Sequence, residues 1–258
     1  MGLLTDWYRR LAASWNQPRH WQMRPGGTDR RVFRTVVMGN EYRLPARFGP
    51  HDVVLDIGAQ TGSFACAVLR RGAGTVYCCE ADEGACRLLK ENLEPYGARA
   101  RAIHGAVWKS DARTPLVHFH RTHDTEAGTG RVTDFDVGIA VPVIRFDELV
   151  EQIGRQHPRG IRLLKLDCAG SEWPILLTSS TLPRIDAICG EYHLGDFPAV
   201  FQVPGHACFT TALLQEYLQG QGFNVKVEHS EHDPRTGLFF AQNRRARQVA
   251  PGAMRRAS

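Results

Sequence analysis

The sequence predicts an α/β fold: a mostly parallel sheet with helices on both faces and an antiparallel hairpin at the C-terminal end. Three observations lead there. Apolar, strand-like runs alternate with helix-period segments from residue 53 onward. A glycine-bearing turn joins the first strand to the first helix, and the last two strand-like runs, FNVKVEH and GLFFAQN, are separated only by the polar SEHDPRT. With 258 residues, 43% of them hydrophobic and 23% charged, the chain is long enough for one large core and short for two full domains. The domain is expected over 50–243, after an extension at 1–49 and before a tail at 244–258.

In the extension, Leu4, Trp7, Tyr8, Leu11 and Trp15 recur at spacings of three and four, an amphipathic helix that packs on the body, covers a site or forms a homodimer contact. A polar, arginine-rich connection follows. VVLDIG then reads as a buried strand, GSFACAVLRRG as a helix closed by Gly72, and TVYCCE as the second strand. DEGACRLLKENLEPYG opens on an aspartate suited to capping and has helical apolar spacing. RARAIHGAV is the third strand. Residues 108–140 break the rhythm with histidines and glycines and are expected to form an irregular insertion rather than another strand–helix unit. VPVIRFDELVEQIG is a short strand entering a helix, RLLKLDCAG a strand and turn, SEWPILLTSS a helix, and IDAICGEYH a further strand. Residues 194–208 are a long loop with two prolines, and TALLQEYLQGQG is the helix before the hairpin.

Composition narrows the function. The net charge of +5 is confined to the ends: residues 244–258 carry five arginines and no acid, and residues 1–35 carry seven arginines against two aspartates, which leaves −5 on the body. A nucleic-acid enzyme usually places its basic patch on the folded body, so no nucleic-acid partner is expected. The tail RRARQVAPGAMRRAS has almost no large apolar residue and reads as disordered. No apolar run suits a membrane span and the first residues lack the apolar centre of a signal peptide, so the expected location is cytoplasmic, with no membrane partner. Cys66, Cys78, Cys79, Cys86, Cys168, Cys189 and Cys208 include no CxxC pair and read as reduced, mostly buried thiols.

In an open α/β sheet, ligands bind beyond the carboxyl ends of the strands, which makes VVLDIGAQTGSFA the stretch of interest. A phosphate-binding P-loop needs a lysine at the helix start, and Gly62-Ser63-Phe64 has none. A dinucleotide loop needs G-x-G-x-x-G, whereas Gly58 and Gly62 stand four apart. Asp56 beside the loop would repel a pyrophosphate but suits a ligand carrying positive charge, such as the sulfonium and ammonium of S-adenosylmethionine. Glu80, at the end of the second strand, stands where an acid accepts hydrogen bonds from ribose hydroxyls.

With LDIGAQTGSFA, CEADEGACRLLKENL, HGAVW and above all KLDCAGSEWPIL, the sequence resembles the FkbM family of S-adenosylmethionine-dependent methyltransferases, over about residues 50–242. The resemblance implies a Rossmann-like, mostly parallel sheet of seven strands with an antiparallel final pair, a cofactor site built from Asp56, Gly58, Gln60, Gly62, Glu80, Ala81, Ala106 and Asp167, and usually O-methylation of a hydroxyl on a small molecule such as a glycoside or another natural-product intermediate. Gln60 stands where the family usually has Asn. Ala169 stands where it has Glu, which leaves Asp167 and Glu172 to take over any role of the missing carboxylate.

For catalysis, His193 is the candidate general base because an ordinary imidazole pKa of about 6.5 suits proton removal near neutrality. Asp167 and Glu191 are expected to orient acceptor or cofactor, and Glu172, Phe197, Phe201 and His206 to meet the acceptor, the last three from a lid-like loop. HFHRTHD offers a metal site through His118, His120 and His123 as an alternative, which would make a metallohydrolase. No metal is expected, since His118 and His120 alternate with apolar Val117 and Phe119 as on a strand. A carboxyl- or N-methyltransferase on the same fold, and a non-catalytic cofactor-binding or scaffold protein, are the other readings.

Overall fold

The structure is a computed structural model and describes residues 18, 20–25, 27–121, 130–133, 138–195, 201, 203–206 and 208–246. The expected helix over residues 4–15, Phe197, His123 and most of the basic tail lie outside the described residues. The described elements are α1 (Asp29–Phe33, running into a π-helical turn over Arg34–Met38), β1 (Val53–Ile57), α2 (Ser63–Arg70), β2 (Thr75–Glu80), α3 (Glu83–Leu93), β3 (Ala100–His104), β4 (Ala106–Trp108), β5 (Leu116–Arg121), β6 (Gly130–Thr133), β7 (Ile139–Arg145), α4 (Phe146–Gln156), β8 (Leu163–Leu166), α5 (Glu172–Thr178), β9 (Ala187–His193), α6 (Thr211–Gly220), β10 (Phe223–His229) and β11 (Thr236–Asn243).

Seven strands form one sheet in the order β10-β11-β9-β8-β1-β2-β3, parallel except where β11 runs against β9 and β10. Strand order reverses between β1 and β8, so the carboxyl ends of these two strands flank the switch point at which α/β sheets bind ligands. Alternation along each strand sorts side chains onto two faces. Val53, Leu55 and Ile57 pack with Leu149, Val150 and Ile153 of α4, Trp173 of α5, and Leu214 and Leu218 of α6. Val54, Val76, Cys78 and Cys189 pack with α1, α2 and α3 on the other face. Each large side chain buried this way contributes about 1.5–3 kcal/mol.

The arginine-rich connection proves to be part of the body. Trp21 packs edge-on against Phe33, and Phe33, Val36, Val37, Tyr42, Leu44 and Phe48 are all buried against the α2 face. Asn92 of α3 clamps the incoming segment: its side chain accepts from the Gln22 amide and donates to the carbonyl oxygens of Gln22 and Thr61.

The expectation of an irregular insertion at 108–140 is corrected. The segment supplies β5, β6 and the start of β7, which join β4 in a second sheet of order β4-β7-β5-β6. Gly105 divides the single strand expected over RARAIHGAV into β3 in the large sheet and β4 in the small one. Val117 and Phe119 of β5 point into an apolar cluster with Trp108 and Val141, while His118 and His120 alternate with them. Polar alternation, which resembled loop composition, marks here a sheet with one covered face.

Candidate active site

The turn after β1 owes its shape to its glycines. Gly58 has φ +77° and donates to Cys79 O, and Gly62 has φ +96° at the start of α2. A Cβ on Gly58 would lie 1.9 Å from the carbonyl oxygen of Asp167, so the turn after β1 and the turn after β8 touch through bare backbone. Gln60, between the glycines, has φ +51°, and Ala169 in the facing turn also has φ +51°. Replacing Ala169 by glycine is therefore expected to stabilise the fold by about 0.5–1 kcal/mol, since a left-handed conformation is costly for any residue with a Cβ. A urea midpoint equal to or below that of the parent chain would show that the turn is not under this strain.

Glu80 ends β2 beneath the first turn. It accepts from the backbone amides of Gln60 and Asp82, both at 2.8 Å. Burial pushes its carboxyl up, opposed by those two amides. Asp82 caps α3 by accepting from Ala85 N. Ala81 and Ala106 lie beside it and pack into the small-sheet cluster. Thr61 Oγ1 and Ser63 Oγ in the glycine turn are buried with no hydrogen-bond partner among the described residues. Buried polar groups are normally satisfied. A ligand with its own donors and acceptors, approaching a backbone stripped of side chains beside a carboxylate, fits this turn.

Asp56 has a different position from the one its place in the sequence led us to expect. It is fully buried, and its register partner on β8 is Lys165, whose Nζ lies 3.2 Å from Asp56 Oδ1 and donates to Gly58 O at 2.7 Å. The positive charge facing Asp56 is thus an internal ammonium. Burial pushes the Asp56 carboxyl up while Lys165 pulls it down. Tyr42, from the connection before β1, donates to Asp167 Oδ2 at 2.8 Å, and Lys165 Nζ is 3.7 Å from the same oxygen. Neither Lys165 nor Tyr42 was singled out from sequence. A lysine inside the apolar run LLKL is the signal that was available for the first.

Asp167, just after β8, and Glu191 and His193, in the last residues of β9, come together: one ligand atom from each lies within 4.8 Å of the others. Glu172, expected to touch the acceptor, is instead fully buried beneath them. Its Oε1 accepts from His193 N and bonds His193 Nδ1 at 2.9 Å, and its Oε2 accepts from Gly170 N. Burial opposes charging of His193, but the carboxylates of Glu172, Glu191 and Asp167 together outweigh it and raise the imidazole to about 9. The ordinary value behind the reading of His193 as a base is therefore shifted upward by its carboxylate neighbours. Burial and then Asp167 push Glu191 up to about 8. Burial also works against Asp167, yet Lys165 foremost holds it below the usual carboxylate range.

The loop after β9 also differs from expectation. Phe201 is fully buried with its ring edge-on to Trp108, so it anchors the loop in the small-sheet cluster rather than lining an acceptor surface. His206 is half-buried, bridges to Val203 and sits edge-on to Tyr217 of α6. Trp173 donates to His193 O and stacks on Phe209, which ties this loop to the end of β9.

Comparison with curated proteins returns no significant match. Among solved structures, the chain is similar to the N-terminal domain of EvdMO1, crystallised in the presence of SAH and D-fucose, at 14% identity and a TM-score of 0.45, covering 95% of this chain and 98% of that one. It is similar to a precorrin-6y C5,15-methyltransferase from Geobacter metallireducens GS-15 at 11% identity and a TM-score of 0.41, covering 88% and 93%. It is similar to M. capricolum TrmK, in complex with SAH, at 8% identity and a TM-score of 0.43, covering 83% and 70%. Likenesses this distant favour no particular acceptor. Residues 56–225 match the methyltransferase FkbM domain, a match that begins at Asp56 and takes in the glycine turn, Glu80, the Lys165–Asp167 turn and the end of β9. The chain belongs to the FkbM family of S-adenosylmethionine-dependent methyltransferases.

Proposed function

We propose that the chain methylates a hydroxyl oxygen on a small molecule, a glycoside or another natural-product intermediate. The observation that carries this reading is that two unlike groups of side chains share one rim of the sheet. Glu80 and the glycine turn lie at the ends of β2 and β1, and Asp167, Glu191 and His193 lie at the ends of β8 and β9. S-adenosylmethionine, when bound, supplies a methyl group on a sulfonium centre. Glu80, Gln60, Ala81 and Ala106 would hold its adenosine part, and Gly58 and Gly62 would let it approach the backbone. Asp167 and Glu191 would accept the hydrogen of the acceptor hydroxyl and so aim its oxygen, with His193 fixed beside them by Glu172.

The test is calorimetric titration of S-adenosylmethionine, followed by a screen of hydroxylated acceptors for formation of S-adenosylhomocysteine. One-site binding is expected, weakened at least about tenfold in Glu80→Ala. A folded parent chain that binds none, or a Glu80→Ala variant that binds equally well, would sink the donor assignment. Turnover only with carboxylic acids would sink the hydroxyl assignment.

A further inference from the structure

We infer that Asp167, Glu191 and His193 form a site for one divalent cation of the Mn²⁺ or Mg²⁺ class on the acceptor side of the methyltransferase centre. The inference deepens the methyl-transfer reading and rests on it only for the cation's role, not for its binding. Two carboxylates and an imidazole within 4.8 Å of one another are a ligand set of hard oxygens plus one nitrogen, suited to Mn²⁺. Among the described residues it is the group of this kind. His118 and His120, the histidines that sequence brought forward for a metal, are not part of it.

The surroundings hold two of the three ligands, Asp167 and His193, from outside the trio, while Asp167 and Glu191 are bonded to each other. Tyr42 and Lys165 both engage Asp167 through Oδ2, which leaves Oδ1 uncommitted to either. Glu172 takes His193 through Nδ1, which leaves Nε2 as the other ring nitrogen, and a carboxylate bonded to the far side of the imidazole is the usual support of a metal-binding histidine. These supports come from outside the trio: Tyr42 precedes β1, Lys165 lies on β8 and Glu172 opens α5. The Lys165 ammonium does not fill the cation's place, because it already donates to Gly58 O and pairs with Asp56. Asp167 and Glu191 bring two carboxyl groups to one rim, and a divalent ion would favour the charged form of both. With three protein ligands the ion keeps open positions, to which the acceptor oxygen can bind, so the cation would orient the hydroxyl and lower its pKa, and the Glu191 oxygen that the ion leaves free would take the proton as the methyl group transfers.

Chelator-treated, desalted full-length protein titrated with Mn²⁺, with free Mn²⁺ read by electron paramagnetic resonance, tests this. One saturable ion per chain is expected, weakened at least about tenfold in Glu191→Gln and in His193→Gln and unchanged in the exposed control Glu231→Gln. Absence of saturable binding below millimolar Mn²⁺ overturns the site, as does an affinity unaltered by both ligand substitutions. If His193→Gln fails to fold in a thermal melt, Glu191→Gln alone decides. Titration of S-adenosylmethionine into the same samples is read separately: a chain that binds it without binding Mn²⁺ loses only the cation site, and one that binds Mn²⁺ alone loses only the donor assignment.

Discussion

Lys165→Met is expected to lower the stability of the fold by about 3–5 kcal/mol, the cost of leaving one partner of a buried ion pair uncompensated. Lys165 is almost completely buried and Asp56 fully so, and the ammonium reaches Asp56, Gly58 O and Asp167 from one position. Methionine fills a similar volume but carries no charge, so the carboxylate of Asp56 remains in the interior with its principal counter-charge gone. The second substitution, Asp56→Asn, removes that charge. The double variant is accordingly expected to recover at least about 1.5 kcal/mol relative to Lys165→Met, a coupling in the range seen for residues in contact. Urea unfolding followed by circular dichroism gives both numbers. If Lys165→Met unfolds within about 1 kcal/mol of the parent chain, or if Asp56→Asn adds to the damage instead of offsetting it, the pair does not hold this part of the sheet together.

The same pair shows what was legible in the sequence and what was not. The mostly parallel sheet and its antiparallel end could be anticipated because strand and helix periods alternate plainly from Val53 onward and the last two strand runs are joined by a short polar link; the count of seven strands comes from the family resemblance. The gathering of Asp167, Glu191 and His193 also follows from one-dimensional information: each lies at or just past the end of a strand, and period-two alternation puts Leu163, Lys165 and Asp167 on one side, and Cys189, Glu191 and His193 on the same one. Register between β1 and β8 was not legible. It is what pairs Asp56 with Lys165 and turns a residue that looked like a ligand contact into the anionic half of an internal pair. Burial of Glu172 was hidden for a similar reason. Its place in SEWPIL marks the start of a helix, but only the approach of β9 makes its oxygens the acceptors for His193. The small sheet was misread because its inward residues, Val117 and Phe119, are few and stand among histidines, and because its partner β4 is only three residues long. Tyr42 was passed over in an arginine-rich connection whose charges masked a row of buried apolar residues.

Gly58→Ala is expected to abolish tight cofactor binding, with a loss of at least about 100-fold, or about 2.7 kcal/mol. The reason lies in a single contact. The added Cβ would stand 1.9 Å from Asp167 O and 2.9 Å from its carbonyl carbon, and backbone on both sides leaves no flexible side chain to give way. Relief requires the turn after β1 to lift from the turn after β8. That movement breaks the Lys165 bond to Gly58 O and carries Gln60 N away from Glu80, so the donor turn and the acceptor-side trio lose their fixed spacing together. A φ of +77° adds its own strain for alanine. Gly154→Ala is the matched control. Gly154 lies within α4, is exposed, and has open space where its Cβ would go, so alanine there is expected to stabilise by about 0.5–1 kcal/mol and leave binding unchanged. Calorimetric titration of S-adenosylmethionine into both variants, with thermal melts beside it, separates a local effect from general damage. A Gly58→Ala chain that binds within about threefold of the parent would mean that the two turns can part without consequence for the cofactor, and the close approach of β1 and β8 would then be a feature of packing alone.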